Sequence, residues 1–171
     1  NVTSATNIFH NTPLVNTYPY NISESTFNSY KIWHSWASVE QINPINVAAV
    51  GHVMNSLGVK DLSGLFNNIT NFNQNVGTWD VSEVTKMSEM FLNAVAFNQN
   101  VGTWNVSEIT NMTGMFQNAN AFNQNIASWN VHEVQNMSYM FQGATIFNYN
   151  IGRWNVERVT DMSSMFRGAI N

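Results

Sequence analysis

Tryptophan recurs at a fixed step of 25 residues, at Trp79, Trp104, Trp129 and Trp154. Phe, Met, Asn and Val recur around it at the same step. A period of this length limits the chain to architectures in which each unit buries its apolar side against its neighbours, as in a solenoid. The full units run over 67–91, 92–116, 117–141 and 142–166. A partial unit ending at Phe66 precedes them, and a short remnant follows to Asn171.

Two spacings alternate inside each unit. In the first, Met87, Met90, Phe91 and Ala94 stand at i, i+3, i+4 and i+7, the spacing of one helix face. The set returns as Met112, Met115, Phe116 and Ala119, as Met137, Met140, Phe141 and Ala144, and earlier as Leu62, Leu65, Phe66 and Ile69. A short helix is expected there, with Thr85, Thr110 and Thr160 placed to cap it. So short a helix needs its neighbours to be stable. The second spacing is extended. Around Trp79-Asp80-Val81 the alternation predicts a strand with Trp and Val inward and polar residues outward. Glycine at 77, 102 and 152 suggests a tight turn into it, although Ala127 stands at the same place in another unit. The expected fold is therefore an α/β solenoid, with a parallel strand ladder on one face, short helices on the other and a helical N-terminal cap.

Between the two lies Phe-Asn-Gln-Asn, starting at Phe72, Phe97 and Phe122, with Phe-Asn-Tyr-Asn at Phe147. The Phe reads as core at a bend. Its amide neighbours read as a ladder that bonds turn backbone or the next copy; a polar strip recognising sugar or peptide is the alternative. The structural ladder expected to hold the core comprises Trp79, Trp104, Trp129 and Trp154, then Phe97, Phe122 and Phe147, with Met112, Met115, Met137 and Met140.

Composition narrows the function. Asparagine supplies 29 of 171 residues, a bias that suggests a disordered polar tract, but the strict aromatic period argues against one. Only 9% of residues are charged and the net charge is -4, which does not suit a nucleic-acid backbone. No apolar run is long enough to span a membrane. Cysteine is absent, so neither disulfides nor thiolate metal sites are available. Glu83, Glu108 and Glu133 form a column that Arg158 completes; a solvated edge is the simpler reading, and no calcium-loop spacing supports a cation there. His10, His34, His52 and His132 make no metal motif. Carboxylates show no pair set for glycoside hydrolysis. Glu24 and Glu40 are candidates for one, but nothing in the spacing joins them. No cofactor is expected, since eight of the nine methionines recur at core positions as fillers. Sequons at Asn1, Asn21, Asn68, Asn105, Asn111 and Asn136 arise largely from the Asn-rich unit.

The ends depart from the pattern. Two regions are expected: 1–58, an N-terminal arm and aromatic helical cap, and 59–171, the repeats. A helix is expected over 23–41 and a second from Asn46, with Trp33 and Trp36 closing the first coil; an aromatic ligand platform is the alternative reading. The first residue is not Met, which suits a mature or excised chain. No apolar cap follows the last unit. Further units, arginines that solubilise the end, or end-to-end self-association would each account for that.

The pattern Phe-Asn-Gln-Asn-Val/Ile-Gly-x-Trp-Asn/Asp-Val-Ser-x-Val-Thr-x-Met-Ser-x-Met-Phe, over 59–171, resembles the 25-residue surface-protein repeats of the mycoplasma lipoprotein type (the BspA-like or DUF285 family), which are related to leucine-rich repeats. The resemblance implies a leucine-rich-repeat-like fold, an extracellular or cell-surface location and a role in adhesion. It carries no catalytic residues. The expected function is a non-catalytic cell-surface module that binds protein or carbohydrate through the outer strand face. That face comprises Thr78, Asp80, Ser82, Thr103, Asn105, Ser107, Ser128, Asn130, His132, Arg153, Asn155 and Glu157. A structural spacer or self-associating scaffold, and a carbohydrate-binding module, are the alternatives.

Overall fold

The computed structural model describes residues 58–169. The arm and cap expected over 1–58 lie, apart from Gly58, outside the described residues, as do Trp33, Trp36 and the first three histidines.

The backbone corrects the expected fold class. Among the described residues there is no α-helix and no sheet. Regular pairing is confined to isolated parallel bridges linking Asp61, Lys86, Asn111, Asn136 and Asp161 in sequence. The α/β solenoid with a strand ladder and a helix layer is therefore not what the chain builds. The 25-residue units lie against one another as runs of hydrogen-bonded turns.

The segment expected to be helical shows why. In a helix, the Phe91 amide would bond the Met87 carbonyl four residues back. It bonds Met115 O in the following unit instead, at 2.9 Å. Amides here alternate in their use. Met90, Leu92 and Ala94 close three-residue turns onto Met87, Glu89 and Phe91. Met87, Glu89, Phe91 and Asn93 reach forward to the carbonyls of Asn111, Thr113, Met115 and Gln117, at 2.7–3.0 Å. The same comb of four bonds recurs at every junction between units, beginning with Leu62 to Lys86 and ending with Gly143 to Arg167. Alternate backbone amides of the run are thus satisfied without a helix.

Left-handed residues make this alternation possible. Glu89 and Asn93 have φ of 57° and 58°, at the third positions of turns 87–90 and 91–94, where a type II turn requires a positive value. Their counterparts are Gly64 and Asn68, Gly114 and Asn118, Tyr139 and Gly143, and Ser164 and Gly168. A residue in this conformation every fourth position stops a right-handed helix from propagating.

The expected strand is also replaced by turns. Trp79 N bonds Val76 O at 3.0 Å and Val84 N bonds Val81 O at 2.9 Å. Neighbouring units are joined on this side by side chains. The Trp104, Trp129 and Trp154 indole Nε1 groups donate to Val76 O, Val101 O and Ile126 O, 28 residues back, at 3.0–3.2 Å. Packing here is close. A Cβ on Gly102 would stand 2.2 Å from the backbone oxygen of Asn125, so this glycine admits a neighbouring chain.

The core is a double file of aromatic rings. Phe91 stacks on Phe97 at 3.8 Å and Phe116 on Phe122 at 3.9 Å within the turn path. Between units, Phe91 to Phe116 is 5.6 Å and Phe97 to Phe122 is 5.9 Å. The methionines at 87, 90, 112, 115, 137 and 140 are fully buried beside them. The inward set thus includes every residue of the expected helical face from Met87 to Ala144, carried on a different backbone.

Candidate functional site

Three side-chain turns per unit shape the surface. Asn75, Asn100, Asn125 and Asn150 each accept the backbone amide two residues on, at 2.9–3.1 Å. Asp80, Asn105, Asn130 and Asn155 accept from Ser82, Ser107, His132 and Glu157 at 3.0–3.3 Å. Asp61, Asn111, Asn136 and Asp161 do the same for residues 63, 113, 138 and 163. Short polar side chains bond locally in this way and specify turns. This is where much of the asparagine is used.

The amides of Phe-Asn-Gln-Asn form a second system between units. Asn73 Oδ1 accepts the Asn98 amide at 2.9 Å, and Asn98 Oδ1 accepts that of Asn123 at 2.9 Å. Gln99 and Gln124 Nε2 donate to the same Asn residues at 2.8–3.0 Å. A further side-chain chain runs through the left-handed positions, Asn118 Nδ2 to Asn93 Oδ1 and Asn93 Nδ2 to Asn68 Oδ1, at 2.8 and 2.7 Å. These amides are exposed or partly exposed rather than inward, and they act as the amide ladder read from their spacing.

The twelve residues of the expected binding face lie on the side formed by turns 76–79 and 81–84 and their copies. Thr78, Asp80, Thr103, Asn105, Ser128, Asn130, Arg153, Asn155 and Glu157 are exposed, and Ser82, Ser107 and His132 are half-buried. They sit on turns, not on a strand. Thr103 Oγ1 and Ser128 Oγ donate to Gly77 O and Gly102 O of the preceding unit at 3.2 Å. Part of the hydrogen-bonding capacity of this face is therefore used to hold the turns. The amide NH2 groups of Asn105, Asn130 and Asn155 remain on the exposed side.

Charge on this face is sparse, and ion pairs stand beside it. Lys60 Nζ meets Glu83 Oε2 at 2.6 Å, and Arg158 pairs with Glu133. His132 Nε2 stands 3.9 Å from Glu133. The Arg158–Glu133 pair relieves the column of glutamates. Hydrogen bonds from the Ser82 hydroxyl and amide hold the Asp80 carboxyl below its ordinary value. The Ser163 amide and hydroxyl do the same for Asp161. Among the described residues no three His, Asp or Glu side chains converge on a point.

The family model described as "Mycoplasma protein of unknown function, DUF285" matches residues 60–171. The chain belongs to the DUF285 family. No curated protein and no solved structure matches it. The part of this DUF285 chain that the family covers is the part built from 25-residue units. Within the matched span, the described residues hold neither helix nor sheet. Among those residues, no helix of this DUF285 chain is long and apolar enough to cross a membrane.

One further expectation from the sequence fails. The threonines expected to cap helices bond elsewhere: the hydroxyls of Thr85, Thr110 and Thr160 donate to Lys60 O, Thr85 O and Gln135 O, at 3.0–3.2 Å. Met162 and Phe166 are 42% and 47% exposed, whereas their counterparts Met137 and Phe141 are fully buried.

Proposed function

We propose that this chain is a non-catalytic interaction module of the cell surface that binds an extended protein or carbohydrate partner along the face of Thr78, Thr103, Ser128 and Arg153. The observation that carries this reading is the array itself. Equivalent polar residues from four successive units stand on one exposed side, and Asp80, Asn105, Asn130 and Asn155 among them are anchored by turn hydrogen bonds. Such an array offers a partner fixed groups with little ordering cost, on units whose core rings repeat at 5.6–5.9 Å. The neutral amides of Asn105, Asn130 and Asn155 suit carbohydrate hydroxyls or an extended peptide better than a strongly charged ligand. The resemblance to mycoplasma lipoprotein-type surface repeats supports a surface location and an adhesive role.

The test uses substitutions drawn from other units, so that the turns survive. Arg stands at 153 where Thr stands at 103, and Asp at 80 where Asn stands at 105 and 130. The triple variant Thr103→Arg, Asn105→Asp, Asn130→Asp keeps each turn acceptor. The chain is screened against an array of glycans and immobilised extracellular proteins, and each hit is measured with the variant. At least a tenfold loss, about 1.4 kcal/mol, is expected. Retained affinity for every hit removes the site assignment.

A spacer or self-associating scaffold is the second reading, favoured by one observation: much of the polar surface is used internally to hold units together. It predicts that the screen returns no hit and that surface substitutions are tolerated.

A further inference from the structure

Two side chains that tie each unit to the one before it are replaced together at a single junction. Gln99 and Gln124 Nε2 donate to the backbone and side-chain oxygens of Asn73 and Asn98 in the preceding unit, at 2.8–3.0 Å. Across the next turn, Thr103 Oγ1 and Ser128 Oγ donate to Gly77 O and Gly102 O at 3.2 Å. In the unit 142–166 the same two positions hold Tyr149 and Arg153. Neither side chain bonds the preceding unit, and Asn123 O and Ala127 O accept no hydrogen bond among the described residues. Both units of this junction are described, so the missing bonds follow from residue type. The register is nevertheless kept, since Asn148 N donates to Asn123 Oδ1 at 3.1 Å and Trp154 Nε1 to Ile126 O at 3.2 Å.

The two replacements are exposed. Every described Phe and Trp lies against another ring, whereas Tyr149 lies against none among the described residues and is 43% exposed. Arg153 meets no carboxylate among them either, while Arg158 is held by Glu133. The position of Arg153 is outward within the stack too, where Thr78, Thr103 and Ser128 are exposed. The turn that Gly152 N closes onto Asn150 Oδ1, at 2.9 Å, lies between Tyr149 and Arg153. Giving up bonds between units for side chains that make none is a local departure of the kind that marks a functional position.

We propose that Tyr149 and Arg153, with the carbonyls of Asn123 and Ala127, form a subsite for one sugar residue that carries a carboxylate. This rests on the polar face proposed above, to which Arg153 belongs, and names the ligand chemistry at one place on it. An exposed tyrosine ring offers a flat apolar surface to the C–H side of a pyranose. A guanidinium without a protein partner takes a carboxylate through two parallel hydrogen bonds. Carbonyls without donors accept sugar hydroxyls. A neutral sugar leaves Arg153 without an anion. A densely sulfated chain meets the exposed carboxylate of Glu157 on the adjoining turn, so a single charge suits the site.

The full chain is titrated separately with sialyllactose, a glucuronate oligomer, lactose and a short peptide with a free C-terminal carboxylate, and NMR follows the Tyr149 and Arg153 signals. At least one carboxylated sugar is expected to bind about tenfold or more tighter than lactose and the peptide, and which one it is names the source of the carboxylate. Tyr149→Gln with Arg153→Thr recreates the pair at 99 and 103. It is expected to keep the unfolding midpoint and to weaken that sugar by about tenfold or more. Arg153→Gln alone is expected to remove the preference over lactose. The proposal is overturned if neither carboxylated sugar shifts these signals, if lactose or the peptide binds as tightly, or if binding and preference survive both variants. The reading of the wider face has its own readout, the triple variant at 103, 105 and 130. A hit that responds to the triple variant but not to the changes at 149 and 153 keeps the face and removes this subsite.

Discussion

Beside the ladder of Asn73, Asn98 and Asn123, asparagine does two further jobs in this chain that are set by backbone geometry. At 75, 100 and 125 it makes a local turn through its own Oδ1. At 68, 93 and 118 it occupies a left-handed conformation, and the side-chain amides of Asn93 and Asn118 donate to Oδ1 of the copy in the preceding unit. Asn tolerates that region because its short polar side chain bonds locally. Asn118→Val places a β-branched residue there and breaks the amide chain, with an expected cost of about 2–3 kcal/mol. Asn118→Gly keeps the backbone free and loses only the ladder bond, about 1 kcal/mol. Urea midpoints of the two variants check the order, and equal losses would place the effect in the ladder alone. Asp80 gives a pH signature at the same scale. Its carboxyl is held below the ordinary value, chiefly by the Ser82 hydroxyl and then by its amide. A depressed pKa adds stability that is present above the ordinary carboxylate range and is lost as pH falls through the folded value. Asp80→Asn keeps the turn acceptor and removes the titration. The stability difference between wild type and this variant should therefore shift against wild type on acidification, as read from unfolding midpoints from neutral pH down to below the carboxylate range.

At the scale of the element, the spacing of Met87, Met90, Phe91 and Ala94 named the inward residues but not their backbone. A run of turns closed three residues back returns side chains to one side at steps of three and four, much as a helix does. Periodicity alone does not separate the two. The discriminating signal was present in the sequence as Asn or Gly at 68, 93, 118, 143 and 168. A residue that favours positive φ at one fixed place in five successive copies marks a left-handed position, not a helix interior. The threonines at 85, 110 and 160 looked like caps because a hydroxyl before an apolar run is the usual helix start. Their actual acceptors lie in the preceding unit, where no local pattern points. The strand reading failed at Trp79 for a related reason. Trp79 and Val81 do face inward, yet the turns at 76–79 and 81–84 leave too little extended chain between them to form a ladder.

For the whole molecule, position along the stack decides what a residue is worth. Phe116 touches rings on both sides, at 5.6 Å from Phe91 and 5.8 Å from Phe141. Phe166 has a ring on one side, Phe141, and is 47% exposed. Phe116→Ala should cost about 3–5 kcal/mol, while Phe166→Ala should cost roughly 1 kcal/mol, since little apolar area leaves a closed environment. Parallel denaturant titrations measure both, and comparable losses would mean that Phe166 is covered in solution. The polar side face was legible from the repeat, because residues beside each Trp had to be outward once Trp was inward. The exposure of Met162 and Phe166 was not legible from residue type, since both are identical in type to their buried counterparts.

The sequence by itself determined the 25-residue period, the inward set of Trp, Phe and Met, the absence of thiol chemistry and the amide-rich surface. These follow from residue type and spacing alone. Only the tertiary structure decided that turns replace helix and strand and that alternate amides bond forward to the next unit. Each of these depends on which carbonyl lies nearest to an amide in space, and a partner 24 residues ahead competes with one four residues back only after the units have packed together.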